Sequence, residues 1–271
     1  MCISKEKMQE EKEKNEMEQY RIADAPASIY YIPNFITPEE ERHLLESIPP
    51  NKWISLSHRR LQAIPSRLSN TNTLLASPLP NWLAHPITDR FKDLKISPTL
   101  PTAARTTVSS TRQGIMPHED GAAYHPVVAT VSLNGSLVLE ITPKTASSSP
   151  AEDQTSSPED PTSSSPTGEK TPNPPPPRKT PWRILQEPRS LLLTTEPAYS
   201  TTLHGIPSVH ADTELTSSTV ANWDQLSSST REKIAADGDR NERATTRISL
   251  TFRDVRKVSS LGMKVFGKVR T

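Results

Sequence analysis

The chain has 271 residues, of which 32% are hydrophobic, 27 are proline and one is cysteine, and its formal net charge is +1. This composition cannot fill a hydrophobic core of that full size. It also excludes an internal disulfide framework, a cysteine-based zinc site and a global charge that would attract nucleic acid or an anionic membrane. We expect a monomer. The single cysteine fits a reducing compartment, so we expect the protein in the cytoplasm and nucleus. We expect no membrane span, because no apolar run approaches about 18 residues.

The beginning of the chain predicts a charged tail, a strand and a helix. Residues 1–19 are rich in Glu and Lys and offer almost nothing to bury, which is typical of a frayed helix or tail. Residues 28–36 (SIYYIPNFI) predict a strand that is interrupted at Pro33. Thr37 then stands as an N-cap with Glu40 at the capping-box position, so we expect a helix to follow.

The next segments carry weaker signals. Residues 52–62 (KWISLSHRRLQ) predict one strand, and residues 79–96 predict a helix that Pro86 starts or breaks. Residues 97–113 are rich in Ser, Thr, Ala and Pro and have little apolar periodicity. Such a composition predicts a loop or a weak strand.

The second half is rich in strand signals. Two apolar runs flank Asn134 and Gly135, a pattern that predicts a β-hairpin with positive φ at both central residues. Residues 189–195, 198–206 and 247–255 are each strand-like, and a long polar stretch separates the last two. The chain therefore predicts a β-rich domain with helices mostly near its front.

One segment interrupts this domain. Residues 143–181 contain 11 Pro, 8 Ser and 6 Thr, with no Leu, Ile, Val, Met or aromatic residue. Ordering costs about 1 to 2 kcal/mol per residue and nothing apolar offsets it, so we expect disorder. We interpret the segment as an insertion between the two parts of one domain, residues 20–142 and 182–259, followed by a basic tail, residues 260–271. Its PPPPRK motif predicts a polyproline-II ligand for an SH3-type or WW partner.

The sequence GIMPHEDG contains a candidate metal site. In an extended segment alternate side chains share a face, so His118 and Asp120 point the same way. A charged surface turn would explain the pair equally well. The candidates for a third ligand are His125, His204 and His210. His125 is too near to His118 in the sequence to face the same metal without a tight reversal of the chain. His210 lies in a polar loop. His204, in contrast, ends a strand and is followed by a glycine that lets another backbone approach.

A later strand, RISLTFR, carries two arginines on one face. Its apolar face comprises Ile248, Leu250 and Phe252, and its other face comprises Arg247, Ser249, Thr251 and Arg253. The polar face could be solvated. Alternatively, guanidinium groups bind carboxylates through two hydrogen bonds, which suits a small dicarboxylate. Two histidines and one carboxylate with open positions are the arrangement of non-haem Fe(II) oxygenases.

Together these motifs resemble a known family. GIMPHEDG, LHGI and RISLTFR, in this order, resemble the AlkB-homologue dioxygenases, which use Fe(II) and 2-oxoglutarate. YYIPNFITPEEERHLLESI followed by KWISLSHRRLQ resembles in particular the branch called the sixth AlkB homologue. The resemblance covers most of residues 28–142 and 182–258. It implies a mainly β fold with flanking helices around a double-stranded β-helix, or jelly roll.

The resemblance also implies roles for individual residues. Iron would be held by His118, Asp120 and His204. Arg247 would pair with the distal carboxylate of 2-oxoglutarate, and Arg253 would hold its keto-acid end or shape the pocket. The reaction would release succinate and CO2, and the substrate would be an alkylated nucleic acid. A flipped base would need an aromatic or apolar pocket, for which the candidates are Tyr124, Tyr199 and Trp182.

The chain departs from the family at one motif. Family members usually carry an Asn-x-Tyr pair before the metal motif, and both side chains contact 2-oxoglutarate, but this chain has Thr107 and Ser109 there. Either cosubstrate contacts have been lost, or residues 96–112 reflect an error in gene prediction. The first explanation favours a non-catalytic jelly-roll protein that recruits partners through its Pro-rich insertion and RNA through its basic tail. A zinc hydrolase would leave the two arginines without a purpose.

Overall fold

The structure is a computed structural model that describes residues 17–55, 59–96, 103–110, 114–144, 181–243 and 246–259. Most of the expected N-terminal tail, nearly all of the expected insertion and the whole basic C-terminal tail lie outside these ranges. The domain boundaries therefore stay predictions. Within the described ranges, no helix has the length and apolar character needed to span a bilayer.

Strands dominate the described residues, and the helices are short. The strands are β1 (Ile29–Ile32), β2 (Ile54–Ser55), β3 (Arg59–Ile64), β4 (Thr73–Leu75), β5 (Ala103–Ser110), β6 (Ile115–His118), β7 (Tyr124–Leu133), β8 (Leu137–Pro143), β9 (Trp182–Gln186), β10 (Leu191–Thr194), β11 (Thr202–Ile206), β12 (Ala211–Asp212), β13 (Asn241–Glu242), β14 (Thr246–Val255) and β15 (Lys257–Ser259). The helices are α1 (Pro38–Ser47), α2 (Asn81–Leu83), α3 (Asp89–Asp93), α4 (Ala198–Thr201) and α5 (Ser228–Ala236). Single turns of other helix types occupy Pro50–Lys52, Ala84–Thr88 and Trp223–Gln225.

Two antiparallel sheets form the jelly roll. The larger sheet has the strand order β1-β10-β7-β14-β5-β3-β2, and the smaller has the order β6-β11-β8-β9. One cluster of buried apolar side chains lies between the sheets and includes Tyr31, Val138 and Ile184. A second cluster lies between the larger sheet and α1 to α3 and includes Leu44 and Phe252. These layers confirm the predicted fold class, a mainly β protein with flanking helices.

Helix α1 begins where the sequence predicts. The Thr37 hydroxyl accepts a hydrogen bond from the Glu40 amide at 3.2 Å, and the Glu40 carboxylate accepts one from the Thr37 amide at 2.7 Å. This capping box satisfies two amides for which the helix itself has no acceptor. Arg90 of α3 donates to both carboxylate oxygens of Glu40 at 2.7 Å. The capping residue therefore also fixes α1 to its neighbour.

Strand β14 joins the core to a cleft between the sheets. Leu250 and Phe252 are buried against the helices, where Phe252 meets the ring of Phe91 edge to face at 5.2 Å. The alternate residues of the strand, Arg247, Ser249, Thr251 and Arg253, line the cleft. The idea of a solvated polar face is therefore wrong, because the smaller sheet covers that side of β14.

The predicted β-hairpin at Asn134 and Gly135 is wrong. Strand β7 pairs with β10 and β14 in the larger sheet, whereas β8 pairs with β11 and β9 in the smaller one. Asn134 does adopt a φ of 67°, but Gly135 is not among the residues with positive φ, and the bend at Asn134 carries the chain from one sheet to the other. The backbone N–H of Asn134 donates to the carboxylate of Glu41 in α1 at 2.8 Å. Turn residues predict a reversal of the chain and not the partner of the next strand.

Three other predictions can be compared with the structure. The single strand expected over residues 52–62 is two short strands, β2 and β3, which pair with each other. The helix expected over residues 79–96, with Pro86 as its start or break, is indeed broken beside that proline, at His85, whose φ of −111° and ψ of 120° are not helical. Residues 103–110, expected to be a loop or weak strand, form β5, which pairs with β14 and β3. Pairing on both sides gives β5 backbone partners, and this outweighs its weak apolar pattern.

The second half also holds more helix than the sequence predicts. Residues 198–201 form α4 instead of the start of a strand, and the polar stretch after β11 contains α5. Ser227 caps α5, and its hydroxyl accepts from the Thr230 amide at 3.2 Å. One apolar residue, Ile234, is buried from this helix. The sparse apolar pattern hid α5 from the sequence analysis.

Replacement of Phe252 tests the role of β14 in stability. Phe252→Ala removes a ring that is 2% exposed, and the resulting cavity should lower the free energy of unfolding by about 3 to 5 kcal/mol. The control Val258→Ala truncates a side chain that is 44% exposed and should change it by less than about 0.5 kcal/mol. Urea denaturation measures both. A loss below about 1 kcal/mol for Phe252→Ala would contradict this placement of the core.

Candidate metal centre

The three predicted metal ligands meet in the smaller sheet. His118 ends β6, and Asp120 follows two residues later. Strand β11 pairs with β6 so that His204 stands directly opposite His118. Residues opposite each other in an antiparallel pair are close neighbours on one face, and the two imidazole centroids are 4.4 Å apart. The ligand atoms of all three side chains lie within 4.8 Å of one another.

Gly205 allows β11 to approach β6 this closely. A Cβ atom at Gly205 would lie 3.0 Å from the Ile115 carbonyl oxygen and 3.1 Å from the Pro117 nitrogen. Both neighbours are backbone atoms, which cannot rotate away as a side chain can. The expected use of this glycine, to let another backbone come near His204, agrees with the geometry.

Both histidines can offer a ring nitrogen to a metal. The Nδ1 atom of His118 lies 2.9 Å from the Met116 carbonyl oxygen, so it carries the proton and leaves Nε2 free for a metal. Burial lowers the pKa of His204 to about 4, with His118 and Arg253 adding to the shift and Asp120 opposing it. At neutral pH the His204 ring is therefore uncharged, which is the form that binds metals.

Arg253 holds the carboxylate of Asp120. One guanidinium nitrogen donates to Oδ1 of Asp120, and both side chains are at most 11% exposed. Burial alone would raise the pKa of Asp120, but the charge and hydrogen bond of Arg253, together with the two histidines, keep the pKa below its usual value. Arg253 also lies over the Tyr124 ring, 5.4 Å from its centroid. Asp120 is therefore ionised, and its second oxygen is left to bind a metal.

Arg247 supplies a buried positive charge in the same cleft. The cleft encloses about 1050 Å³ of empty space, including its opening to solvent. Arg247 is 4% exposed, and it donates to the Ser132 hydroxyl at 2.6 Å and to the Gln186 amide oxygen at 2.5 Å. Burial lowers its pKa to about 10, with Arg243 adding to the shift, so it stays charged at neutral pH. Within the described ranges, no carboxylate pairs with it and its Nε has no hydrogen-bond partner.

The residues present fit both a divalent metal and an anionic ligand. Atoms bound to one ion at about 2.1 Å lie roughly 3 to 4 Å apart, so a small movement would bring the three ligand atoms onto one ion. Two imidazoles and one carboxylate leave the other positions of that ion open. A buried charge without a counter-ion is costly, and an anion beside Arg247 would offset that cost. The unpartnered Nε of Arg247 is a further donor for such an anion.

The other candidate residues lie elsewhere or at the edge of the cleft. His125 and His210 are exposed and lie outside the cluster of ligand atoms. Tyr199 lines the cleft and donates to the Gly121 carbonyl oxygen at 3.2 Å, whereas Trp182 packs against the apolar cluster between the sheets. Of the three proposed aromatic residues, Tyr199 is therefore the one that lines the cleft.

Sequence reasoning missed three residues of this site. Ser132 and Gln186 hold the Arg247 guanidinium, and Arg59 of β3 lines the cleft. The available signal was a polar residue within an apolar strand, as Ser132 is in VVATVSL and Gln186 is at the end of WRILQ. That signal marks a polar position facing inward but not its partner, which comes from another strand.

Comparisons with known proteins agree with this geometry. No family model matches the sequence. The chain is 33% identical over 248 residues to the probable RNA/DNA demethylase ALKBH6 of Danio rerio. The matched region covers 90% of this chain and 92% of that protein.

Solved structures resemble the fold at low sequence identity. The structure of OsALKBH1 superposes with a TM-score of 0.50 and 10% identity, over 85% of this chain and 99% of that one. An oxidoreductase of the 2OG-Fe(II) oxygenase family from Burkholderia pseudomallei has a TM-score of 0.48 and 10% identity, over 90% and 94% of the two chains. The likeness to OsALKBH1 supports the jelly-roll fold.

Removal of one imidazole tests the metal site. His118→Ala or His204→Ala leaves two of three ligands, so the affinity for Mn(II) or Fe(II) should fall by at least about 100-fold. His125→Ala removes an exposed imidazole outside the cluster and should leave the affinity unchanged. Electron paramagnetic resonance of Mn(II) during titration measures all three. Equal affinity of the His118 and His125 variants would exclude this cluster as the site.

Proposed function

Because this chain belongs to the AlkB-homologue family of dioxygenases, we propose that it uses Fe(II) and 2-oxoglutarate to demethylate RNA or DNA. The observation that carries this proposal is the position of a buried, unpaired guanidinium, Arg247, in the same cleft as the ligand atoms of His118, Asp120 and His204. A metal site alone would fit many enzymes. The added cation accounts for an anionic cosubstrate.

In this proposal His118, Asp120 and His204 hold the iron. Iron held there would supply the chemistry by which one oxygen atom of O2 oxidises 2-oxoglutarate to succinate and CO2 and the other hydroxylates a methyl group. Arg253 keeps Asp120 ionised and oriented through its ion pair. The hydrogen bond from His118 to the Met116 carbonyl oxygen keeps that imidazole in the form that binds metal.

Arg247 holds the far carboxylate of 2-oxoglutarate in the same proposal. Its guanidinium is fixed by Ser132 and Gln186, which are themselves joined by a hydrogen bond of 3.0 Å. Both partners are neutral, so they orient the cation without neutralising it. A fixed cation loses little freedom when the carboxylate arrives, which favours binding.

The exposure of the centre supports a large substrate. His118 is exposed, and Met116 beside it is 83% exposed, so the ligand cluster lies near the opening of the cleft. A base flipped out of a nucleic acid strand could reach this depth. The name of the Danio rerio relative, a probable RNA/DNA demethylase, supports the same class of substrate. Tyr199 would offer a wall for the base.

One observation favours a second function. Strand β5 carries Thr107 and Ser109 where family members usually have Asn and Tyr, so the chain lacks two usual contacts to 2-oxoglutarate. A non-catalytic jelly-roll protein would not need them. The ligand cluster and Arg247 would then have no use, and we prefer the enzyme for that reason.

Binding of the cosubstrate separates the two functions. Under anaerobic conditions Fe(II) and 2-oxoglutarate should give the wild-type protein a visible charge-transfer band, and admission of O2 should release succinate. His204→Ala should show neither, whereas the exposed control His210→Ala should show both. Folded wild-type protein without the band would favour the non-catalytic function.

A methylated oligonucleotide tests the substrate. Single-stranded RNA or DNA with N-methylated bases should lose methyl groups as formaldehyde, since hydroxylation of an N-methyl carbon gives an unstable product. Mass spectrometry of the oligonucleotide and a formaldehyde assay measure this, and Asp120→Ala should abolish it. Succinate release with every oligonucleotide left intact would reject a nucleic acid substrate while keeping the oxygenase.

A further inference from the structure

A third guanidinium lines the cleft. Arg59 is the first residue of β3, and its side chain lines the cleft together with Arg247 and Arg253. It is half-buried. Neither the metal cluster nor the ion pair of Asp120 involves Arg59. The proposed reaction therefore leaves this cation without a role.

The charges that line the cleft do not balance. Asp120 is the one acidic residue of the described lining, and Arg253 pairs with it. Arg59 and Arg247 remain, and within the described part of the chain no carboxylate pairs with either. Among the described lining residues this leaves an excess of two positive charges, which favours a ligand with two negative charges.

The register of the larger sheet puts Arg59 at the Arg247 end of the cleft. Strand β5 lies between β3 and β14, and its residue Ser109 is the partner of both Arg59 and Arg247. Two interstrand spacings separate the two Cα atoms, about 10 Å. Arg253 lies six residues farther along β14, roughly 20 Å of strand away, at the metal end. Two long side chains on one face can converge over the strand between them.

The strand between the two arginines is also where the chain departs from its family. Ser109 stands at the position where family members usually carry the tyrosine that contacts 2-oxoglutarate. A serine lacks the ring and the phenolic donor of a tyrosine. Ser109, where the tyrosine donor is missing, is therefore the register partner of Arg59 on the neighbouring strand.

We propose that Arg59 is a second binding residue for the distal carboxylate of 2-oxoglutarate, where it works with Arg247 and replaces the missing tyrosine. This inference rests on the proposed function, since it names a further contact of the same cosubstrate. Arg59 donates to the carboxylate from the β3 side and Arg247 from the β14 side. Two guanidiniums on one carboxylate give charge-assisted hydrogen bonds from both directions.

The next residue gives a matched control. Arg60 is exposed on the other side of β3, where its guanidinium lies 5.5 Å from the centroid of the Trp53 ring. Adjacent residues of a strand point to opposite faces. Arg60→Ala therefore removes the same charge from the same strand without touching the cleft.

The test compares two keto acids in wild-type protein, Arg59→Ala, Arg59→Lys and Arg60→Ala. The ligands are 2-oxoglutarate and 2-oxopentanoate, which has the same chain length but a methyl group in place of the distal carboxylate. Anaerobic titration with Fe(II) follows the visible band of each chelate in the full-length chain. Thermal unfolding without metal checks that each variant folds.

The expected result is a selective loss. Arg59→Ala should bind 2-oxoglutarate at least about 10-fold more weakly, the usual effect of one charge-assisted hydrogen bond, and 2-oxopentanoate within about twofold. Arg59→Lys should recover part of the loss, since it keeps the charge but not the planar fork. Arg60→Ala should bind both acids as the wild type does.

Other outcomes overturn the inference in distinguishable ways. An equal loss for both acids would show that Arg59 supports the structure of the site and does not contact the distal carboxylate. Unchanged binding of both acids by Arg59→Ala would assign the residue to another ligand, such as a phosphate of the substrate. If Arg59→Ala does not fold, Arg59→Lys takes its place in the test. A ratio of its affinities for the two keto acids equal to that of the wild type would then overturn the inference. No band in folded wild-type protein would reject the proposed function itself.

Discussion

The site depends on one backbone register, the antiparallel pairing that sets His204 of β11 opposite His118 of β6. A slip of one residue would turn His204 to the other face of the sheet and separate the two imidazoles. Pairing of β11 with β8 on its other edge, where His204 meets Ile141, holds β11 in place. Gly205 lets the backbones approach, since a Cβ there would collide with β6. The metal geometry thus follows from backbone hydrogen bonds and one missing side chain.

The second constraint is electrostatic. Arg253 is neutralised by Asp120, but Arg247 is buried against neutral partners. The fold tolerates this cost because β14 is held by its apolar face, where Leu250 and Phe252 pack beneath the helices. Strand β14 therefore stabilises the core with one set of alternate residues and charges the cleft with the other. A ligand anion would recover the energy that the unpaired cation costs.

The points at which local patterns failed or left alternatives open share one cause. Asn134 and Gly135 predicted a hairpin, but the chain only bends there and β7 and β8 join different sheets. The segment before the metal motif left a loop and a weak strand open, and β5 formed there between two strands that are distant in sequence. For the polar face of β14 the pattern left a solvated face and a ligand site open, and the structure makes it the wall of a cleft. In each case the missing information was the identity of a neighbour and not a property of the segment itself.

The sequence by itself determined whatever depends on a few adjacent residues. The capping box at Thr37, the common face of His118 and Asp120 and the alternation along β14 all follow from local geometry. The composition also indicated which segments could not build a core. The family resemblance and the glycine that follows His204 also pointed to this histidine as the third member of the cluster. Tertiary structure alone decided that Arg253 holds Asp120 and that Arg59 and Arg247 flank one strand. Those pairs are far apart in the chain, and strand pairing is set by the burial of whole faces.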